Sequence, residues 1–315
     1  ALSLLRTMLR MRRLEEQVIH LAQDHQGLIR GHYHVYIGQE AAGAGACAAL
    51  RPSDYVFTTH RNHGHIVAKG GDPGRILAEI IGRAGGYCLG RGGTFHVAAP
   101  EIGVLHTSAI VAGCLPLAAG AAYAAKELAE DRATVVFFGD GAMEEGAFYE
   151  TLNIAQLWQL PLILFMENNG GLTSSSHSAS ALSDVPRAFN VDTLQVDGTD
   201  PEAVYELVAS LRGRAGPVFI ESRTVRWPGN AGAFPRLIGG ETQLGWLWGP
   251  MPESLRGWAD PVLTFARKVL DRGAATREAL QAMDTQVRQE IAAAAEFALA
   301  SPLPAAEAAL EHAYA

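Results

Sequence analysis

The sequence predicts an α/β fold: a parallel sheet with helices on both faces, extended by helices at either end. Three observations carry this. Apolar runs at 133–141, 160–169 and 216–225 read as buried strands, apolar on both faces as parallel strands tend to be. Stretches with helical spacing, "EGAFYETLNIAQLW" and "DPEAVYELVASLRG", lie between them. Strand and helix thus alternate from 134 to 225, which calls for right-handed crossovers onto one sheet.

The elements follow in order. "LSLLRTMLRMRRLEEQVIHLAQ" places Leu5, Met8, Leu9, Val18 and Leu21 at helical spacing. "GQEAAGAGACAAL" reads as a helix of small residues that allows close packing. "DPGRILAEIIG" is a third helix, with Asp72 as N-cap and Pro73 in its first position. The Gly-rich stretch 83–113 is too long for a simple connection and reads as a functional loop. "LPLAAGAAYAAKELAE" is another small-residue helix. Beyond Pro228 the order of elements is obscured by frequent Gly, Pro and Trp. Helices resume in "DPVLTFARKVLDRG" and in the long "TREALQAMDTQVRQEIAAAAEFALAS", and the end reads as a mobile tail or a surface helix. The expected layout is one domain over 1–315. N-terminal helices occupy about 1–50, the core 51–226 and a C-terminal extension 227–315.

Bulk properties exclude several classes. With 48% hydrophobic and 18% charged residues, the chain can bury a large core. A net charge of -8 without a basic cluster excludes a nucleic-acid footprint. No apolar run is long enough to span a bilayer, and the charged N-terminal stretch lacks the apolar segment of a signal peptide. Cys47, Cys88 and Cys114 are too few and too scattered for a disulfide scaffold or a zinc site, so a reducing cytoplasm is the expected compartment.

The chemistry is concentrated at two motifs. Gly139-Asp140-Gly141 follows one predicted strand and Asn168-Asn169 follows the next, with 26 residues (142–167) between them. Ligands of open α/β sheets bind beyond the carboxyl ends of strands. A carboxylate and a carboxamide are hard oxygen donors that suit magnesium or calcium, and magnesium usually completes its shell with phosphate oxygens and water. The following helix N-terminus adds positive dipole. Gly-Asp-Gly alone would mark only a turn; its pairing with Asn-Asn turns it into a metal-clamped phosphate site. Glu144 and Glu145 read as acids of a first helical turn. The alternative is that one of them faces a partner subunit or a substrate channel.

The two motifs at this spacing resemble the signature of thiamine-diphosphate enzymes. More narrowly, the chain resembles the alpha subunit of the thiamine-dependent component of 2-oxo acid dehydrogenases: pyruvate, branched-chain and acetoin dehydrogenases. The likeness extends through "LLRTMLRMRRLEEQV", the stretch from Tyr36 to Pro73, "GRGGTFHV", Gly139–Asn169, "QVDGTDPEAVYE" and "WADPVLTFARKVLDRG".

The resemblance implies thiamine diphosphate and Mg2+ as cofactors. The metal would be held by Asp140, Asn169 and the carbonyl of Gly171, where relatives usually have Tyr. Gly139, Gly141 and Ala142 would approach the diphosphate with their backbone, and His60 and Arg61 of "TTHRNHGH" would bind it with side chains. His63 would face the reacting carbon, with His65 structural. Ala109 and Val111 would contact the aminopyrimidine through their backbone, beside Cys114 in place of a polar residue. Leu172 would prop the cofactor.

In "TVRWPGNAG", Asn230 stands where relatives carry a His that contacts the diphosphate and takes part in acyl transfer. Asn can bind phosphate but does not shuttle a proton near neutral pH.

The implied activity is decarboxylation of a 2-oxo acid, with the acyl unit passed to a lipoyl-bearing carrier. The implied partner is a beta subunit that supplies the pyrimidine-contacting Glu, in an alpha2-beta2 assembly. Two alternatives stay open. One is transketolase-like cleavage of a ketose or ketose phosphate, with transfer of a two-carbon unit. The other is a degenerate regulatory subunit, against which the intact Asp140, Asn169 and Arg61 argue.

Overall fold

The structure, a computed structural model, describes residues 1–170, 181–230 and 234–310. Six strands form one sheet: β1 (Tyr55–Thr59), β2 (Val104–Ser108), β3 (Thr134–Gly139), β4 (Leu162–Asn168), β5 (Asp192–Asp197) and β6 (Val218–Arg223). Their order is β2-β1-β3-β4-β6-β5, and every pairing is parallel. The three strands predicted from apolar runs are β3, β4 and β6, which are consecutive in the sheet. The other three carry weaker signals. β1 ("YVFTT") is short and Thr-rich, and β2 ("VLHTS") lies inside the stretch read as a loop. β5 ("DTLQVD") is an edge strand with no buried residue.

Alternation along the strands divides the core. Val135, Phe137, Ile163, Phe165, Val218 and Ile220 belong to one buried cluster. Their neighbours Val136, Phe138, Leu162, Leu164, Met166 and Phe219 belong to the other. Successive side chains of a strand point to opposite faces, so each cluster is one face of the sheet.

Helices α1 (Leu2–Asp24), α2 (Glu40–Ala48), α3 (His63–Ala68) and α4 (Pro73–Ile80) cover the first face. Helices α5 (Cys114–Glu127), α6 (Gly146–Leu157) and α7 (Asp184–Ala188) cover the second. α8 (Pro201–Leu211), α9 (Pro261–Asp271) and α10 (Arg277–Ala300) return to the first face, where Val204, Phe265 and Leu280 join the cluster containing Phe137.

The helix starts obey local capping chemistry. Asp72, Asp200 and Asp260 each accept from backbone amides of the first turn, and Pro follows each of them. Thr276 caps α10 by accepting from Ala279 N.

The N-terminal helix is tied to the C-terminal ones by buried charge. Arg12 is fully buried. Its Nε donates to Glu40 Oε1 at 2.6 Å, its Nη1 to Thr242 Oγ1 at 2.6 Å, and its guanidinium meets both oxygens of Asp260 at 2.8 and 3.0 Å. Arg13 makes a two-pronged pair with Asp284 of α10, at 2.8 and 2.9 Å. Among the described residues, no helix is long and apolar enough to cross a membrane.

Candidate active site

The connections of this sheet create a crevice. After β1 the chain crosses by α3 and α4 on one face; after β3 it crosses by α6 on the other. Adjacent strands whose continuations part in this way leave space beyond their carboxyl ends. A cleft of about 200 Å³ lies there. Thr59, His60 and Arg61 line it from β1, and Ser108, Ile110, Val111 and Ala112 from β2. β3 contributes Gly139–Ala142, β4 contributes Glu167 and Asn169, and the segment after β6 contributes Arg226.

Eight residues singled out from the sequence meet here: His60, Arg61, Val111, Gly139, Asp140, Gly141, Ala142 and Asn169. Ala109 is exposed between two lining residues, Ser108 and Ile110. Gly171 and Leu172 lie outside the described residues.

The members of the Asn pair have different partners. Asn168 turns to the sheet, donating to Glu221 Oε1 at 2.8 Å and accepting from Gly170 N at 3.0 Å. Asn169 donates through Nδ2 to Gln39 Oε1 at 3.5 Å, which leaves its carbonyl oxygen as the metal-type donor.

Two expectations are corrected. His63 does not face the cleft. It is fully buried, with Nδ1 3.0 Å from Glu15 Oε2 and Nε2 3.0 Å from the Thr94 carbonyl. Both ring nitrogens are engaged, so its role is to join α1 to the Gly-rich stretch. Asn230 is only 1% exposed and donates Nδ2 to the Ile37 carbonyl at 3.1 Å. Within "TVRWPGN" the cleft receives Arg226 instead. Glu144 and Glu145 lie just before α6 rather than inside its first turn. A 3-10 turn spans Asp140–Glu144, and Glu145 is the N-cap of α6 without a side-chain cap bond. Both are exposed.

Sequence reasoning missed Gln39, Glu167 and Arg226. The first is delivered by Gly38, whose backbone has φ +102° and approaches residue 225 closely. A Cβ there would lie 2.5 Å from Val225 O. Glu167 sits beside the Asn pair, and the signal that marks it is a carboxylate ending an otherwise apolar strand. Its Oε1 accepts a hydrogen bond from Tyr36 OH and lies 3.2 Å from His65 Nε2. His65 Nδ1 in turn lies 2.8 Å from Thr58 Oγ1.

The Tyr36 ring reaches this position by threading past two glycines. A Cβ at Gly64 would lie 2.2 Å from the ring, and one at Gly43 would lie 2.8 Å from its hydroxyl. Gly64→Ala is therefore expected to destabilise the fold by about 1–3 kcal/mol, the usual range for overpacking a core, read by urea unfolding.

The electrostatics favour an anion. Burial pushes the Arg61 guanidinium down to about 10, helped by the charge of Arg226 and opposed by Glu15 and Glu167. Burial also lowers Arg226, with Asp140 opposing. Both remain cations at neutral pH, and an anion between them would relieve the repulsion.

Burial, Arg61 and His34 push His60 down to about 3, so its ring is neutral through the physiological range. In the unfolded chain this ring takes up a proton near pH 6.5. Between about pH 3 and 6.5 the unfolded state then binds more protons, and stability falls as pH is lowered through that window. In ligand-free protein the His60 ring signal, followed by NMR, is expected to show no titration between pH 5 and 8.

Among the described residues, no group of three or more His, Cys, Asp and Glu could hold a metal. The set suggested by the sequence is of another kind, one carboxylate and one carboxamide with a backbone carbonyl.

Comparisons with known proteins place the chain in a family. The sequence pattern of the family described as "Dehydrogenase E1 component" matches residues 6–231. The alpha subunit of acetoin:2,6-dichlorophenolindophenol oxidoreductase from Cupriavidus necator is 37% identical over 290 residues, 90% of this chain and 85% of that one. The alpha subunit of the pyruvate dehydrogenase E1 component from Rhizobium meliloti is 35% identical over 95% of this chain and 85% of its own length. The acetoin oxidoreductase alpha subunit of Bacillus subtilis is 41% identical over 72% of this chain and 70% of its own. With its cleft residues inside the matched span, this chain belongs to the dehydrogenase E1 component family.

Proposed function

We propose that this chain is the diphosphate-binding alpha subunit of a two-subunit enzyme dependent on thiamine diphosphate and Mg2+. The reaction is decarboxylation of a 2-oxo acid, with the acyl unit passed to a lipoyl-bearing carrier. One observation carries the reading: a single cleft brings together Arg61, Arg226, Asp140, Asn169 and the turn Gly139–Ala142. The donor set fits the cofactor. Two guanidiniums match a diphosphate. An Asp and an Asn oxygen match magnesium. The 3-10 turn Asp140–Glu144 opens at the cleft and leads into α6.

Once bound, thiamine diphosphate supplies the nucleophilic carbon and the electron sink. The work of this chain is binding and orientation. Arg61 and Arg226 hold the anion, neutral His60 hydrogen-bonds without adding charge, and Glu167 is held by Tyr36 and His65 at the cleft floor.

The relatives are named alpha subunits, and a beta subunit that completes the site is part of this reading. Two features support it. The cleft is smaller than the roughly 300–1,000 Å³ of most small-molecule sites. Beside it Ile110 is 74% and Val111 50% exposed, and Leu117, Tyr123, Ile154, Leu157 and Trp158 are exposed on α5 and the α6 region. An alpha2-beta2 assembly would cover this apolar face. Unpaired Cys47, Cys88 and Cys114 suit a cytoplasmic enzyme.

Acetoin is a second donor to consider, because two of the three relatives above are named for it. The test is a donor screen on the chain co-expressed with its beta subunit. It would follow carbon dioxide release from pyruvate and branched-chain 2-oxo acids, dye reduction with acetoin, and turnover of ketose phosphates. Release of carbon dioxide dependent on both cofactors is expected. Turnover of acetoin or a ketose phosphate alone would replace the donor, and no turnover with any of them would reject the reading.

A further inference from the structure

Glu221 of β6 is a buried carboxylate, 5% exposed, on an apolar face of the sheet. Met166 of β4 and Gln195 of β5 stand opposite it in register, and paired residues of neighbouring strands point to the same face. Val136, Phe138, Leu164, Met166 and Phe219 build the buried cluster on that face. A carboxylate there costs free energy unless hydrogen bonds compensate it. Arg223 does little of this, since its Nε is 4.0 Å away and its side chain is 68% exposed.

Side-chain amides match both oxygens instead. Oε1 accepts from Asn168 Nδ2 at 2.8 Å, and Oε2 accepts from Gln195 Nε2 at 2.7 Å. A carboxylate only accepts, so it fixes which way round the Asn168 amide sits. With Nδ2 committed to Glu221, Oδ1 is left to accept from Gly170 N at 3.0 Å. That bond closes a tight turn around Asn169, with Gly170 at φ +71°. The main chain is clamped as well. The Asn168 carbonyl accepts from Thr224 N at 2.8 Å, two residues before Arg226. Asn169 and Arg226, which line the same cleft, thus extend from one junction between β4 and β6.

We propose that Glu221 is a positioning residue for Asn169 in magnesium binding. It is not among the residues that line the cleft, and it acts through Asn168 and the turn to Gly170. Gln195 holds its second oxygen from the edge strand. The assignment rests on the reading of Asn169 as a magnesium ligand. Without the carboxylate the Asn168 amide is free to turn over, Gly170 N loses its acceptor, and the backbone that aims Asn169 is released.

The experiment is calorimetric titration of thiamine diphosphate, at a series of magnesium concentrations, into the chain assembled with its beta subunit. Glu221→Met fills a similar volume with no polar atom, so the apolar face stays packed and the melting temperature should not fall. It is expected to raise the magnesium concentration for half-maximal binding at least about tenfold, while saturating magnesium restores one cofactor per alpha chain. Glu221→Gln should stay close to wild type. Its amide oxygen can accept from Asn168, and the exposed Gln195 amide can turn to accept from its nitrogen. Asn168→Ala should reproduce the shift, and adding Glu221→Met to it should cost little more, because the two residues act in series. Arg214→Ala, which removes an exposed pair with Asp192 of β5, should leave the magnesium requirement unchanged. Two results would overturn the proposal and leave the cofactor reading standing. They are an unchanged magnesium requirement in Glu221→Met, and fully additive effects of Glu221→Met and Asn168→Ala. A wild-type chain that binds the cofactor equally well in EDTA would overturn the reading and the proposal with it.

Discussion

Asp140→Ala is expected to abolish magnesium-dependent binding of thiamine diphosphate, weakening it at least about 100-fold, or about 2.8 kcal/mol. Asp140 stands at the carboxyl end of β3, at the start of the turn that leads to α6, and lines the cleft opposite Asn169. Its charge also offsets the burial penalty on Arg226. The variant therefore loses the proposed metal ligand. The residue is only partly buried, so folding should persist and the melting temperature should stay close to wild type. Asp140→Asn, which keeps the shape and removes the charge, should fall between the two. Glu144→Ala, on the exposed side of the same turn, should bind normally. Wild-type affinity in Asp140→Ala, measured calorimetrically, would refute the metal assignment.

Arg12→Ala is expected to have the largest effect on stability, a loss of about 3–5 kcal/mol in urea unfolding. Burial penalises the Arg12 charge, but Asp260 and Glu40 outweigh the penalty and hold its pKa above the ordinary value. Removing Arg12 leaves those two carboxylates buried with no cation between them. The damage should reach the cleft. Glu40 also accepts from Gly38 N at 2.9 Å, and Gly38 sets the approach of Gln39 to the segment carrying Arg226. Arg12→Lys keeps the charge but not the fork that reaches both acids, and should recover only part of the loss. Because the groups act together, Arg12→Met combined with Glu40→Gln should destabilise less than the sum of the single changes.

How much of this was legible in the sequence follows the strength of each local signal. β3, β4 and β6 are buried on both faces, so their apolar runs declare them. β1 and β2 are five residues each with Thr and His among them, and β5 has no buried residue. For these, tertiary pairing decides the structure rather than local pattern. Asp140 and Asn169 were readable because two strand ends carry their motifs directly. Arg226 was not, since its position depends on the close approach of Gly38 to residues 225–227, which no local pattern encodes.

His63 and Asn230 show the opposite error. Both are chemically capable groups in the right segments, but both are buried: Glu15 and Thr94 engage the two ring nitrogens of His63, and Ile37 engages the amide nitrogen of Asn230. Glu167 carries little signal in the sequence because it closes an apolar run at a strand end. Its importance comes from Tyr36, which lies 131 residues earlier in the chain.

The most direct measurement is calorimetric titration of thiamine diphosphate into the wild-type chain assembled with its beta subunit, with magnesium and with EDTA. One cofactor per alpha chain is expected with magnesium, and loss of that binding in EDTA. Absence of binding in magnesium, or binding of equal strength in EDTA, would contradict a magnesium-clamped diphosphate site at Asp140 and Asn169.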